Sequence, residues 1–199
     1  MKRRPAGLLF LLAAFAPTDA HAHLVNSGLG PFYDGALHLI LSPMDIVRLM
    51  TLALFAGAQG RESARYVVLA APVAWFLAGA SALIFDATGM PGIANAASLF
   101  LLGGAVAFEL KLAPSVAAAA AAGFAALLGF QSGIELRSDG ADWVALLGTA
   151  AVVLAIVLPI AALVVSATAF PVRVACRVLG SWASATGLLS IGWIIAANR

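Results

Sequence analysis

The sequence predicts an all-α membrane protein, a compact bundle of six transmembrane helices that follows a cleaved N-terminal signal peptide. Of the 199 residues, 63% are hydrophobic and 10% are charged, whereas soluble domains have roughly 45–50% and about 25%. The apolar stretches are continuous and do not alternate with polar residues, which favours helices over barrel strands. The net charge is only +2 and the basic residues are scattered, so no nucleic-acid partner is expected.

Residues 1–22 have the features of a signal peptide. A basic start at 2–4, a short apolar core at 8–16 and an A-x-A cleavage site at 20–22 follow one another. Cleavage there makes His23 the first mature residue and leaves 23–199 as a single membrane domain. The alternative is an uncleaved anchor, although Pro17 and Asp19 interrupt its apolar run before the roughly 20 residues that a bilayer requires.

Six apolar stretches are predicted to cross the bilayer, and short connections with Gly, Pro or Asp separate them. They cover residues 37–58, 65–85, 93–108, 113–130, 143–170 and 172–197, the first with a polar and bent start. Small residues at Gly79, Gly103, Gly123 and Gly180 suit close helix packing. Trp143 and Trp193 are expected at the outer interface, and Trp75 and Trp182 inside the bundle.

The distribution of charge predicts the orientation in the membrane. The connections after the first, third and fifth stretches are basic, and the positive-inside rule places them in the cytoplasm; they contain Arg61, Arg65, Lys111, Arg173 and Arg177. The other connections are mainly acidic, and we expect Asp86, Asp139 and Asp142 there to be solvated. This places both mature ends in the periplasm of a bacterial inner membrane protein.

A polar run at the start of the first stretch is the main candidate site. Gly28, Gly30 and Pro31 predict a non-helical loop, and Gly35 and Pro43 are expected to interrupt the segment that follows. Ionisable residues inside a membrane segment cost roughly 2.5–3.5 kcal/mol each at its centre, so they indicate a functional site.

His38, Asp45 and Arg48 are the ionisable residues of this run. On one continuous helix, Asp45 and Arg48 share a face at i, i+3, and His38 lies two turns above them. Three interpretations stay open. The residues form a structural network in which Asp45 neutralises Arg48, they coordinate an ion or relay protons, or they are solvated at the interface.

Two further groups extend this candidate metal site. Glu135 follows Gln131 at the outer end of the fourth stretch, from which it can face His38 across the bundle. A free α-amine and imidazole on His23 together form a chelating group for Ni or Cu, and Asp34 lies within loop reach of it. His38, Asp45, His23, Asp34 and Glu135 are therefore the candidate metal ligands, with Arg48 and Gln131 in support.

An enzyme is not expected. The sequence has no H-E-x-x-H, G-x-S-x-G or P-loop motif. Its three histidines, one of them in the signal, are too few to ligate haems and a metal together. The single cysteine, Cys176, excludes an intrachain disulfide, and no tightly bound cofactor is predicted.

The chain resembles the HupE/UreJ family of small membrane proteins. The resemblance lies in a mature N-terminal His followed by two glycines and a histidine, here Gly30, Gly35 and His38 in the order G-x-x-x-x-G-x-x-H, and then Asp45 at the start of a long apolar helix. It implies a role linked to hydrogenase or urease systems, as a nickel permease or as an accessory protein.

The chain departs from the family pattern at three positions. Leu39 and Ile46 stand where the family has Pro and a second His, and Gln131 to Glu135 replaces a His-Gly pair. Imidazole suits Ni and Cu, whereas carboxylates favour harder ions, so the missing imidazoles make the residues less specific for nickel. The metal therefore stays open, and Ni, Cu and Co are considered. The two functions considered are a secondary transporter for a divalent transition metal, and a non-transporting membrane protein that docks metalloenzyme maturation factors.

Overall fold

The computed structural model describes residues 27–85, 89, 92–167 and 169–198. Within these residues the chain forms seven helices and no strands. They are α1 (Pro31–Leu41), α2 (Pro43–Ala58), α3 (Arg61–Ile84), α4 (Gly92–Ala107), α5 (Pro114–Ser138), α6 (Trp143–Ser166) and α7 (Phe170–Ala197). The all-helical prediction is therefore confirmed. The predicted signal peptide and His23 lie outside the described residues.

In the part of the chain that the structure describes, four helices are long and apolar enough to cross a membrane, namely α3, α5, α6 and α7. The bent pair of α1 and α2 makes a fifth if it is one span. The remaining helix, α4, has 16 residues, which rise about 24 Å and fall short of a hydrocarbon core of about 30 Å. The structure thus supports a multi-pass membrane protein with four or five spans, and the sixth span stays a prediction.

The sharp bend between α1 and α2 follows from Pro43. Proline has no N–H, its ring clashes with the carbonyl four residues earlier, and it holds the preceding residue in an extended conformation. Ser42 accordingly has φ −85° and ψ 102°, and the two helices meet at 83°. The bent start predicted for the first stretch is confirmed.

The first part of the polar run is more helical than predicted. Pro31 is the first residue of α1, and Gly35 lies within that helix instead of interrupting it. Proline suits the first helical position because the N–H there has no helical partner in any case. A Cβ on Gly35 would clash with the backbone of Ala145 in α6, so this glycine permits close packing of α1 on α6.

The helices associate in closely packed pairs. α3 packs most extensively on α5, α4 on α7, and α1, α2 and α3 all contact α6. The predicted small-residue contacts are present at Gly79, Gly103 and Gly180, where a Cβ would meet a facing helix, but Gly123 faces open space. Gly129 and Gly133 of α5 make the contact with α3 instead.

The tryptophans separate into buried and exposed positions. Trp75 is 1% exposed and donates a hydrogen bond from Nε1 to Thr149 Oγ1 at 3.0 Å. Trp182, predicted to be central, is 67% exposed because α7 contacts the bundle mainly through Gly180, Ala183 and Gly187. The prediction for Trp182 was wrong, and its side chain faces away from the bundle.

Local hydrogen bonds define the start of α6. The side chain of Asp142 accepts hydrogen bonds from the backbone N–H of Val144 at 2.9 Å and of Ala145 at 3.3 Å. Asp142 is therefore the N-cap of the helix rather than a merely solvated loop residue. The capped end of α6 also packs on α1, since Ala145 lies against Gly35 there.

Candidate metal site at the bent helix pair

His38 occupies the last turn of α1, just before the bend. Its side chain is only 5% exposed, because α1 packs along α6. The imidazole Nε2 lies 3.4 Å from Oε2 of Glu135 on α5. The prediction that Glu135 faces His38 across the bundle is confirmed.

Gln131 orients the Glu135 carboxylate. Its Nε2 donates a hydrogen bond to Oε1 of Glu135 at 2.9 Å, one helical turn away on α5. The amide oxygen of the same Gln131 is buried and has no hydrogen-bond partner among the described residues. Burying an unpaired amide oxygen is unfavourable, so the residue that holds Glu135 carries an acceptor atom whose hydrogen-bonding capacity is unused.

Asp45 and Arg48 form an ion pair on α2. Arg48 donates from Nη1 to Oδ1 of Asp45 at 2.7 Å, and both side chains are largely buried. This is the i, i+3 pairing expected from the sequence. The bend at Ser42, however, separates His38 from this pair, so the three residues do not form one stripe on a continuous helix.

The ion pair still acts electrostatically on the site. Asp45 lies close enough to interact with the charge on His38, and Arg48 with the charge on Glu135. Because Arg48 and Asp45 neutralise each other, they add little net charge beside the imidazole and the carboxylate. Without Asp45, the positive charge of Arg48 near Glu135 would no longer be neutralised.

Asp34 has a local structural role. It lies one turn before His38 on α1, and its Oδ1 accepts a hydrogen bond from the backbone N–H of Ser27 at 2.7 Å and another from the Ser27 hydroxyl. These bonds fix the chain that enters α1. Whether Asp34 and His23 form an outer capture site stays a prediction, since His23 lies outside the described residues.

Asp139 lies near the site, although the sequence predicted only that it is a solvated loop residue. Asp139, four residues after Glu135 and just past the end of α5, is close enough to His38 to interact with its charge. The spacing of Glu135 and Asp139 at i, i+4 was the available signal, because such residues share a helix face. Its relation to His38 required the packing of α1 near the end of α5.

The described residues include no group of three His, Cys, Asp or Glu side chains placed to hold a metal ion. The site instead offers an imidazole nitrogen, a carboxylate and an unpaired amide oxygen. With metal–ligand bonds of about 2.0–2.2 Å, two ligand atoms lie about 3.4 Å apart on a tetrahedral ion and about 3.0 Å on an octahedral one. The 3.4 Å between His38 and Glu135 fits this range.

The HupE / UreJ protein family model matches residues 9–190. The chain belongs to the HupE/UreJ family. The match includes every residue of the bent pair and of α5, and it agrees with the resemblance seen in the first stretch. Comparisons with curated proteins and with solved structures found no significant match.

Membership in the HupE/UreJ family and the apolar helices together establish a multi-pass membrane protein in contact with a lipid bilayer. The family match does not distinguish transport from an accessory role.

Proposed function

We propose that this HupE/UreJ protein is a secondary permease for a divalent transition metal such as nickel, with His38 and Glu135 as its first ligands. The observation that carries the proposal is the close approach of these two side chains at a bent helix pair, beside the unpaired oxygen of Gln131. Imidazole is the ligand that favours Ni, Cu or Co in this set.

A partly complete ligand set suits a transported ion. Conduction requires binding that is favourable enough for entry and weak enough for release. Two or three protein ligands leave the remaining coordination positions to water, so the ion is not trapped. Irregular or broken helices are the usual places for such sites in transporters, and the 83° bend places His38 at one of them.

Protons compete with the metal for His38. A nitrogen that binds a metal must be unprotonated, so metal binding releases protons and weakens as the pH falls. We therefore expect metal uptake to decrease in acidic medium. If a His38→Gln variant keeps some uptake, and that uptake no longer falls with pH, the result would support metal binding by His38.

The decisive experiment measures accumulation of radioactive nickel in cells that express the chain or its variants. His38→Ala and Glu135→Gln should each lower uptake at least tenfold, the scale on which metal sites respond to loss of an important group. Glu62→Gln is a matched control, because Glu62 is an exposed carboxylate at the start of α3, remote from the site. Normal uptake in both site variants at normal membrane abundance would refute the proposal.

Membrane abundance separates transport from structure. His38 is buried, but the Glu135 side chain is 41% exposed, so breaking this pair should cost less than the roughly 3–5 kcal/mol of a fully buried ion pair. A purely structural His38–Glu135 pair therefore predicts a reduced amount of protein in the membrane. Asp45→Asn should lower uptake because Arg48 then places an unpaired positive charge near Glu135. Arg48→Lys should retain most of the uptake, since its charge still neutralises Asp45.

The same cells test the alternative, a non-transporting accessory protein for hydrogenase, urease or oxidase assembly. In that case cell metal content stays constant while the activity of the metalloenzyme falls. The family supports either role, and the close approach of His38 and the partly exposed Glu135 at the bend favours transport.

For localisation we propose the bacterial inner membrane with both mature ends in the periplasm. Reporter fusions at Arg61, Lys111 and Arg173 should read as cytoplasmic, and fusions after Asp139 and at Arg199 as periplasmic. A cytoplasmic C-terminus would overturn the six-span count. The helix whose crossing would then be doubted first is α4, the shortest predicted span.

A further inference from the structure

A second charged region lies at the opposite end of α2 and α6 from His38. There, where α2, α4 and α6 end and α7 begins, the structure contains a cavity of about 830 Å³. Sites for small molecules usually have about 300–1,000 Å³. Its charged lining residues are Arg61, Glu109, Lys111, Arg173 and Arg177.

The cavity is strongly positive. Four cationic side chains face one carboxylate, which leaves a net charge of +3 (4 − 1) on the lining residues. Arg173 is already paired within the lining, since its Nη2 donates to Oε2 of Glu109 at 2.8 Å. The cation excess therefore comes from Arg61, Lys111 and Arg177.

Most donors of these three cations remain available. Among the residues that the structure describes, Arg177 donates only from Nε, to the Ala107 carbonyl at 3.2 Å, which leaves both terminal nitrogens. Lys111 donates to the Ala58 carbonyl, one of three bonds that an ammonium can make. Arg61 has no hydrogen bond or ion pair within the described part of the chain. Arginine presents its donors in a planar fork that matches phosphate oxygens.

The rest of the wall is apolar. Val106, Val164, Val165 and Val172 line the cavity together with small residues. A cationic rim next to an apolar wall, at the level where spanning helices end, matches an amphiphile with an anionic head. Basic pockets between helices at the membrane surface are typical sites for anionic lipid headgroups. A free phosphate ion would leave the valine wall unused.

We propose that this cavity binds the phosphate headgroup of an anionic phospholipid. Arg61 and Arg177 contact the phosphate oxygens, Lys111 adds charge, and the valines contact the first part of the acyl chains. The site is independent of the metal proposal, since it shares no residue with the His38 region.

The test uses the purified full-length chain in neutral detergent and measures the dissociation constant for phosphatidylglycerol, with phosphatidylcholine of the same acyl chains as the reference lipid. One basic residue near a lipid surface contributes enough to change affinity about fivefold. Arg61→Gln should weaken phosphatidylglycerol binding by about this factor. Arg177→Gln should act in the same direction. Binding of phosphatidylcholine should be weaker and should not respond to either variant.

Two further variants make the test specific. Arg65→Gln removes an equal charge one turn from Arg61, from an exposed residue outside the cavity lining, and should leave the affinity unchanged. Glu109→Gln removes the one carboxylate of the lining and frees Arg173, so it should strengthen binding. A site that merely needs an intact fold would be weakened by both Arg61→Gln and Glu109→Gln.

Three results would overturn the proposal. An equal loss in Arg65→Gln would indicate diffuse attraction to a charged surface. Equal binding of phosphatidylcholine would remove the role of the anionic head. Binding of inorganic phosphate alone, with the same dependence on Arg61 and Glu109 and in competition with the lipid, would assign the cavity to free phosphate.

Discussion

The contact between α3 and α5 can be tested with one added methyl group. In Gly133→Ala, the new Cβ would lie 2.8 Å from Cα of Gly79, whereas ordinary contacts lie at 3.4–4 Å. The helices must therefore separate locally by at least about 0.6 Å, the difference between 3.4 and 2.8 Å. A gap of about 0.5–1 Å already removes a quarter to a half of the dispersion energy of each affected contact.

Gly123→Ala is the matched control. It makes the same substitution on the same helix, but its Cβ would meet nothing within 4 Å. Replacing Gly by Ala in a helix stabilises by about 0.8–1.0 kcal/mol in both variants, so this term cancels in their difference. The remaining difference is the cost of overpacking, about 1–3 kcal/mol.

The measurement is the thermal midpoint of unfolding in detergent. At about 2–4 °C per kcal/mol for a chain of this size, Gly133→Ala should unfold about 2–12 °C below Gly123→Ala. Since Gly133 lies two residues before Glu135, metal uptake should fall with it, and uptake should stay normal in Gly123→Ala. Equal midpoints for the two variants would show that α3 and α5 are not in contact at Gly79.

Three further predictions concern separate parts of the chain. The hydrogen bond from Arg173 lowers the pKa of Glu109 in the loop after α4, so the stabilisation from this ion pair is present at neutral pH and is lost as the pH falls through the lowered pKa. Arg173→Gln should therefore lower the thermal midpoint at pH 7 but not in strong acid. An equal effect at both pH values would contradict the ion pair. Trp75→Phe removes the hydrogen bond to Thr149 and should destabilise by about 0.5–1.5 kcal/mol for that bond, since the Thr149 hydroxyl still donates to the Leu146 carbonyl. The loss in Trp75→Phe combined with Thr149→Val should be smaller than the sum of the two single losses, and additive losses would argue against the bond. Mass spectrometry should find a mature chain that begins at His23, and N-acetylation should weaken its binding of Ni or Cu; unchanged affinity would exclude the amine as a ligand.

The bend between α1 and α2 illustrates what a local signal can predict. Pro43 acts on the residue before it and on the carbonyl four residues earlier, so the break follows from the chain itself. Gly35 gave the opposite result. It was expected to interrupt a helix, yet it lies inside α1, because its missing side chain serves a contact with Ala145 more than 100 residues away.

The candidate site divides in the same way. The Asp45–Arg48 pair lies within one helical turn, so spacing predicted it. The partnership of His38 with Glu135 was anticipated only as a possibility, because their depth and direction depend on how α1 and α5 pack in the bundle. The unpaired oxygen of Gln131 had no local signature, and for Asp139 the sequence offered only its i, i+4 spacing from Glu135, which does not show its proximity to His38.

Composition alone determined that this chain is a helical membrane protein, because apolar stretches in a bilayer must satisfy their backbone hydrogen bonds internally. Only the tertiary structure decided which of two tryptophans is buried and which glycines join α3 to α5. Trp75 and Trp182 both lie within predicted spans, and Gly123 and Gly133 lie on one helix. What separates them is the face that each presents to a neighbouring helix, and that depends on residues distant in sequence.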